Sequence, residues 1–204
     1  MKTTRVYTQT ARAEAVEQTR LRILDAAFAL QSERLTSQIS LEDVADRAGV
    51  SVQTVLRRFG SRAGLFDAAV VHANERIADE RRTPSGDVPA AIRVLVDHYE
   101  LRGDLALMML AQETTYEHVR RLSEAGKAMH RTWVAEVFAP HLDRCGPSRR
   151  DELLDLLVVA TDVCTWKLLR RDRGHSRAQT EARIHTLVTG VLSATADRKD
   201  TDHG

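Results

Sequence analysis

Two short apolar stripes separated by one glycine constrain this chain more than any other feature. Leu41, Val44, Ala45 and Ala48 fall at i, i+3, i+4 and i+7, and Val52, Val55, Leu56 and Phe59 repeat the spacing. Each set lies on one face of a two-turn helix and on no face of a strand, whose side chains alternate with period two. Ser40 and Ser51 stand where the helices begin, and each can accept a backbone N–H from the first turn. Gly49 supplies the left-handed or tight-turn position that ends the first helix. A third stripe precedes them: Leu21, Leu24, Ala27 and Phe28 recur at three and four from Thr19, in a helix that ends near Gln31–Arg34. Three short helices, the last two joined by a brief glycine turn, have the spacing of a helix-turn-helix.

After Gly60-Ser61 the pattern predicts a longer helix over 62–82, with Leu65, Ala68, Ala69 and His72 on one side. Thr83-Pro84-Ser85-Gly86 is the strongest breaker in the chain and is expected to hinge that helix against the remaining helices. Apolar periodicity resumes over 87–103, 104–122 and 124–141, then in a pair at 148–172 and 177–195. Pro140 and Cys145-Gly146-Pro147 set off the pair, and Gly174 divides it. With 4 prolines and 10 glycines in 204 residues and no useful strand alternation, the fold class is all-α. The expected organisation is a flexible basic arm over 1–18 and a three-helix head containing the helix-turn-helix over 19–66. A larger helical body over 67–195 and a polar tail over 196–204 complete it.

Apolar residues at 43% and charged residues at 29% describe a globular chain rather than a disordered one. No run approaches about 18 uninterrupted apolar residues, and MKTTRVYTQTARAEAVEQTR lacks the apolar centre of a secretory signal, so no membrane partner is expected. Cys145 and Cys164 are too few for a disulfide framework and fit a reducing, cytoplasmic setting. There is no glycine-rich phosphate loop, His-Glu-x-x-His, nucleophile elbow or Cys-x-x-Cys, and the 8 histidines fall at no ligand spacing. Enzymatic chemistry, a metal and a cofactor are therefore not expected.

Charge points to another kind of chemistry. The whole chain carries only +1, but residues 1–66 hold 10 Lys/Arg against 7 Asp/Glu, a net of +3, which leaves −2 for the rest. The stretch VSVQTVLRRFGSR (50–62) has three arginines and no acid. On a helical wheel Val52, Val55, Leu56 and Phe59 share the inner side, while Gln53, Thr54, Arg57, Arg58 and Ser61 share the outer. That outer side offers an amide for bidentate base contact, a hydroxyl with a methyl, and guanidinium groups that fit guanine or phosphate. Helix starts at Ser40 and Ser51 add backbone N–H donors for phosphate. The partner this predicts is double-stranded DNA, bound with an affinity that falls steeply with salt. Lys2, Arg5 and Arg12 in the arm either reach along the DNA or belong to a disordered tail.

The same residues carry a family resemblance. Ile23-Leu24-Asp25-Ala26-Ala27, Ile39-Ser40-Leu41-Glu42-Asp43-Val44-Ala45 and Ala48-Gly49-Val50-Ser51 are its first part. With Thr54-Val55, Arg58-Phe59-Gly60-Ser61-Arg62 and Leu65-Phe66, in register and without a gap, the segment resembles the DNA-binding head of TetR-family transcriptional regulators. The resemblance implies DNA contacts from Val52 at the exposed helix start and from Arg62 at the start of the next helix. One position departs: Leu56 stands where the family usually has a tyrosine whose phenol reaches a phosphate. Leu56 either packs inward or meets a thymine methyl, with Arg57 or Arg58 taking the phosphate.

For the body, the resemblance implies a homodimer on a (pseudo)palindrome, built from the last two long helices, 151–171 and 176–194. Leu156, Val159, Val163, Leu187, Val188 and Val191 are the interface candidates, with Gly190 and Ala194 permitting close approach. Burial of the same faces within one subunit is the alternative. The resemblance also implies a pocket among the middle helices for a small apolar or amphipathic effector. His98, Tyr99, Met108, Met109, Tyr116, Trp133, Phe138 and Trp166 are its candidate lining, unless they are ordinary core. Asp97, Glu113, His118 and His130 are polar groups able to orient a ligand. The implied function is a ligand-responsive repressor whose dimer leaves its operator when the effector binds. A ligand-independent regulator or activator with a solid body remains open. So does a helical enzyme or protein-interaction module with a vestigial head, for which Leu56 is the one hint.

Overall fold

Serine caps decide where the short helices of the head begin. The computed structural model describes residues 3–34 and 36–197. Its first elements are α1 (Thr3–Glu33), a 3-10 turn (Thr36–Gln38), α2 (Leu41–Ala48), α3 (Val52–Phe59) and α4 (Arg62–Glu80). At the start of α2 the Asp43 N–H donates to Ser40 Oγ (3.1 Å) and the Ser40 N–H donates to Asp43 Oδ2 (2.8 Å). This reciprocal pair satisfies two of the donors that a helix start leaves open. The Ser40 backbone bond first, and the Arg34 guanidinium after it, hold the Asp43 carboxyl down at about 2. Gly49 ends α2 in the left-handed region (φ 64°, ψ 43°), where a side chain would be strained. Ser51 then accepts the Thr54 N–H (3.2 Å) to start α3.

The first helix begins at Thr3, not at Thr19. TTRVYTQTARAEAVEQ is rich in residues that tolerate a helix but has no apolar stripe, so periodicity gives no sign of it. The span expected as a flexible arm is thus helical from Thr3; Lys2 and the side chains of Arg5 and Arg12 lie outside the described residues. The head core gathers Ile23, Leu24, Ala27 and Leu30 of α1, Ile39, Val44 and Ala45 of α2, Val55 of α3, and Leu65, Phe66 and Ala69 of α4, Ile39 sitting just before α2. Full burial contributes roughly 1.5–3 kcal/mol for each of the large side chains. Arg62 straps α4 to this core. Its Nε donates to the Ile39 carbonyl (3.0 Å), a terminal nitrogen donates to the Thr36 carbonyl, and its guanidinium lies 4.9 Å from the Phe66 ring centroid. Asp25 of α1 holds α4 further along, accepting from Arg76 (2.6 Å) and pairing with His72 (2.8 Å).

Two compact units divide between Ala78 and Asp79, inside α4, later than the expected limit at Phe66. The first half of α4 belongs to the head because Leu65, Phe66 and Ala69 are part of its core. The second unit holds α5 (Val88–Gln112), α6 (Glu117–Val137), α7 (Ala139–Leu142), α8 (Pro147–Ala160), α9 (Val163–Lys167), a π-helical turn (Leu168–Asp172) and α10 (Arg177–Asp197). Among the described residues there is no strand. α5 packs on α6, α9 and α10, and α8 packs on α6 and α10. Their shared core includes Ile92, Leu95, Val134, Phe138, Leu157, Trp166 and Ile184. The tail beyond Asp197 lies outside the described residues.

Several breaks fall elsewhere than the periodicity suggested. Gly103 ends no helix: it lies inside α5, where a Cβ would come within 2.5 Å of the Trp166 ring. Its missing side chain makes room for a ring rather than for a turn. The expected single helix over 148–172 is cut at Thr161 and Asp162. Thr161 Oγ1 donates to the Leu157 carbonyl (2.6 Å), and Asp162 caps α9 by accepting the Cys164 N–H (2.7 Å). The Thr83–Gly86 breaker is no free hinge either. The Gly86 N–H donates to the Val137 carbonyl (2.7 Å) and the Ser85 hydroxyl to the Glu136 carbonyl (2.8 Å), which pins it to the end of α6.

Trp166 has little freedom to yield to a side chain at position 103. It is fully buried, its indole N–H donates to Glu100 (3.1 Å), and Arg171 stacks 4.5 Å over its ring. Gly103→Ala gains up to about 1 kcal/mol of helix propensity against about 1–3 kcal/mol of overpacking. We expect a net loss of roughly 1 kcal/mol, read as a lower urea midpoint at unchanged m-value.

Candidate nucleic-acid interface and the interior of the body

α3 is eight residues long, and Val55 is the one residue of it that is fully buried. Val52 and Phe59 are half-buried against the head core. Three residues at i, i+3 and i+7 therefore hold the helix and turn the remainder outward. Gln53 and Arg57 are exposed, while Thr54 and Arg58 are half-buried. Leu56 does not join the inner side on which the wheel placed it. At 40% exposure it adds an apolar side chain to the outer surface rather than to the core. The inner stripe of so short a helix is narrow, and position 56 lies at its edge.

Arg57 and Arg58 have no acid among the described residues, whereas four other arginines of the head do. Arg20 pairs with Glu17, Arg34 with Asp43, Arg47 with Glu33 and Arg76 with Asp25. Among the described residues no carboxylate pairs with Arg57 or Arg58, and Arg58 Nε is buried without a hydrogen-bond partner. The first turn of α3 also carries no acid, so its helix dipole is uncompensated at the start. Two cations and a positive helix end on one short element are what a polyanion completes.

Ser40 and Arg62 are used differently from the expectation. Ser40 donates both its N–H (2.8 Å) and its hydroxyl (2.9 Å) to Asp43 Oδ2, so its own donors are already spent. Glu42 and Asp43 in the same turn repel an anion as well. Arg62 turns its guanidinium onto the Ile39 and Thr36 carbonyls, where it fixes the start of α4. Donors not spent in this way lie at Ser51 and on α3.

Of the eight candidate lining residues in the body, Tyr99, Trp133, Phe138 and Trp166 are core. The polar atoms of these rings are already partnered: Trp133 Nε1 donates to the Arg81 carbonyl (2.8 Å) and Tyr99 Oη to the Thr161 carbonyl (3.0 Å). Burial pushes the Tyr99 phenol well above its ordinary pKa. His98, Met108 and Met109 are half-buried, and Tyr116 is exposed. Two grooves on the body, each of about 250 Å³, are lined by none of the eight. Among the polar candidates, Asp97 accepts from Arg177 (2.8 Å) and Glu113 from Lys127 (2.8 Å), while the side chain of His118 lies outside the described residues.

Sequence reasoning passed over Arg81. A doubled arginine before a breaker reads as surface charge, yet Arg81 is 3% exposed, and no carboxylate among the described residues pairs with it. One of its terminal nitrogens donates to His130 Nδ1 (2.9 Å), and its guanidinium lies 4.1 Å from the Trp133 ring centroid. Because arginine can only donate, His130 carries its proton on Nε2, which donates to Thr161 Oγ1 (3.1 Å). The Thr161 hydroxyl passes the chain on to the Leu157 carbonyl. A hydrogen-bonded line thus runs from the residue after α4, through α6, to the break between α8 and α9.

On the outer faces of α8 and α10, Leu156, Val159 and Leu187 are exposed at 45%, 65% and 46%. Val191 is half-buried and lines a groove with Arg149, Glu152, Leu153, Leu156, Gly190 and Ala194. Val163 and Val188 are in the core of the same chain, which removes them from any face offered to a second copy.

Head and body together are those of a helix-turn-helix protein. Residues 23–69 match the family model described as bacterial regulatory proteins, tetR family. The chain is 36% identical over 77 residues to the HTH-type transcriptional repressor KstR of Rhodococcus jostii, covering 38% of this chain and 36% of that protein. It is 42% identical over 57 residues to the HTH-type transcriptional regulator AlkX of Mycobacterium tuberculosis, covering 28% and 27%. The chain therefore matches only about a third of the length of KstR and about a quarter of that of AlkX. The likeness in fold reaches further. A tetR-family transcriptional regulator from Streptomyces coelicolor aligns with TM-score 0.64 over 89% of this chain and 83% of its own, at 20% identity. The head thus matches the tetR family in sequence over residues 23–69, and the chain shares its fold with the Streptomyces coelicolor regulator. No helix among the described residues is long and apolar enough to cross a membrane, and no cluster of three or more His, Cys, Asp or Glu forms among them.

Burial first, and the Arg81 charge second, lower the pKa of His130 to about 4 and of His98 to about 3; Asp162 opposes the shift at His130. In the unfolded chain both return to about 6.5. Between these values the unfolded chain binds protons that the folded chain does not, so stability is full above about pH 6.5 and falls as the pH drops. We expect the melting temperature to decline steadily from about pH 7 to pH 5, above the range where most carboxylates titrate. A flat profile over that window would show that the two histidines are not buried as neutral groups.

Proposed function

We propose that the protein is a cytoplasmic DNA-binding transcriptional regulator, a ligand-responsive repressor acting as a homodimer. The observation that carries this reading is the pair Arg57 and Arg58, left without an acid on a helix whose inner side Val55 fixes in the core. Gln53 and Thr54 meet base edges, the two arginines take guanine or phosphate, and Val52 and Leu56 meet thymine methyl groups. Leu56 thus exchanges the family's phosphate contact for an apolar one. The naming of KstR as a repressor supports that sense of regulation.

Leu156, Val159, Leu187 and Val191, with Gly190 and Ala194 beside them, are the surface on which a second copy docks. Dimerisation sets two reading helices on half-sites about 34–36 Å apart. An effector that binds better when the spacing misses the operator shifts the population off DNA. A second reading, a ligand-independent regulator, is favoured by how fully Tyr99, Trp133, Phe138 and Trp166 occupy the interior.

Duplex DNA of arbitrary sequence, titrated by fluorescence anisotropy at low and moderate salt, tests the first claim. We expect salt-sensitive binding, with the slope of log K against log salt reduced by about 2 when Arg57 and Arg58 are both alanine. Binding that ignores salt, or a slope that the double variant leaves unchanged, would sink the reading. The dimer is tested by sedimentation: we expect the wild type to run as a dimer and Leu187→Asp as a monomer. A monomeric wild type at micromolar concentration would overturn it.

A further inference from the structure

Arg81 is a permanent cation in the body interior, and no side chain among the described residues supplies it a negative charge. Its neighbours are an imidazole at 2.9 Å and an indole ring at 4.1 Å, and its Nε has no partner. A ring face and a neutral imidazole return only part of what a guanidinium loses on leaving water. Guanidinium matches the planar, two-oxygen shape of a carboxylate better than any other side chain does. A full complement for Arg81 therefore has to come from outside the chain.

Two more buried polar atoms lie without partners on the helices nearby, His98 Nδ1 on α5 and Ser123 Oγ on α6. Ser123 precedes His130 by two turns on one face of α6, about 10 Å along its axis. The Glu80–Arg102 pair (2.7 Å) sets this part of α5 beside the end of α4. From there α5 continues as Leu105-Ala106-Leu107-Met108-Met109-Leu110, every residue of which is half-buried. Ala106, Leu107 and Leu110 turn toward the body core, while no described residue from Asp104 to Glu117 is fully buried, so apolar surface along this end stays partly open. Its two methionines are the side chains best able to reshape around an apolar guest.

We propose that the body binds a small amphipathic organic acid, its carboxylate paired with Arg81 and its apolar part along Leu105–Leu110 of α5. Ser123 Oγ is left for a polar group further along the molecule. The proposal rests on the reading of the protein as a ligand-responsive regulator, and it names the chemistry of the effector.

The test uses the full chain and two matched series, straight-chain carboxylates from hexanoate to dodecanoate and the alcohols of equal length, measured by calorimetry. We expect at least one acid to bind about tenfold or more tighter than its alcohol, the factor one charge-assisted pair supplies. Arg81→Met keeps the apolar bulk and removes an unpaired buried charge, so it should melt no lower than the wild type and should lose the acid preference. Arg81→Lys, which keeps the charge but not the fork, should retain a reduced preference and serves as the second variant if Arg81→Met does not fold. Acid and alcohol binding equally, neither series binding, or an undiminished preference in either variant would overturn the proposal. Duplex binding is measured separately on the same samples. Protein that binds duplex but no acid keeps the regulator reading and loses this inference, whereas acid binding through Arg81 without duplex binding does the reverse.

Discussion

The burial of Val55 sets what the head can present. An eight-residue helix does not hold itself in water, because nucleation consumes most of what its few hydrogen bonds return. α3 exists because Ser51 caps it and because Val55 enters a core already formed by α1, α2 and the start of α4. One fully buried side chain is enough to fix the rotation of a two-turn helix. Turning α3 by one residue would bring Leu56 inward and expose Val55, and the arginines would then point along the head surface. Their outward direction is a consequence of apolar packing on the opposite side, not of any attraction between charges.

In the body the corresponding constraint is a seam of polar groups running through apolar packing. Gly103 lets Trp166 lie against α5, and Glu100 holds both that indole and Arg170. Arg81 joins the seam twice, through its carbonyl to Trp133 and through its guanidinium to His130. Thr161 receives the chain of hydrogen bonds at the point where α8 stops. Leu156 and Val159, on the surface proposed for dimer contact, lie in the last turns before that stop. The interior polar line and the outer apolar stripe are thus features of the same helix end.

Local rules made much of this legible in the sequence. The starts of α2 and α3 follow from Ser40 and Ser51, the end of α2 from Gly49, and the helix-turn-helix from two equal stripes. Where the reading failed, the deciding contact was not local. The expected boundary between 103 and 104 is absent, and nothing in the sequence announces that Gly103 makes room for a tryptophan sixty-three positions later. The first turns of α1 have no apolar stripe to reveal them. Leu56 fell on the wrong side because a wheel assigns a half-plane to the core, and the head core accepts a narrower strip. Val163 and Val188 fit a dimer stripe by spacing and a core by position, and spacing alone does not separate the two. Arg81 was invisible for the same reason, since only tertiary packing buries it.

The consequences of an event at Arg81 are set by its neighbours along the chain. Arg81 directly follows Glu80, the last residue of α4, and Arg62 at the other end of that helix grips the Ile39 and Thr36 carbonyls of the head. On its other side the chain has little slack, because Ser85 and Gly86 are bonded to the end of α6. A breaker that was free would absorb any displacement of Arg81 within the loop. A pinned one cannot, so a shift of Arg81 has to be taken up by α6, through Trp133 and His130, or by the last turn of α4. A ligand changes the balance between two arrangements only by its difference in affinity for them. An acid paired with Arg81 has such a difference wherever the two arrangements place that guanidinium differently, and the pinning of Ser85 and Gly86 directs the difference into helices rather than into a loop.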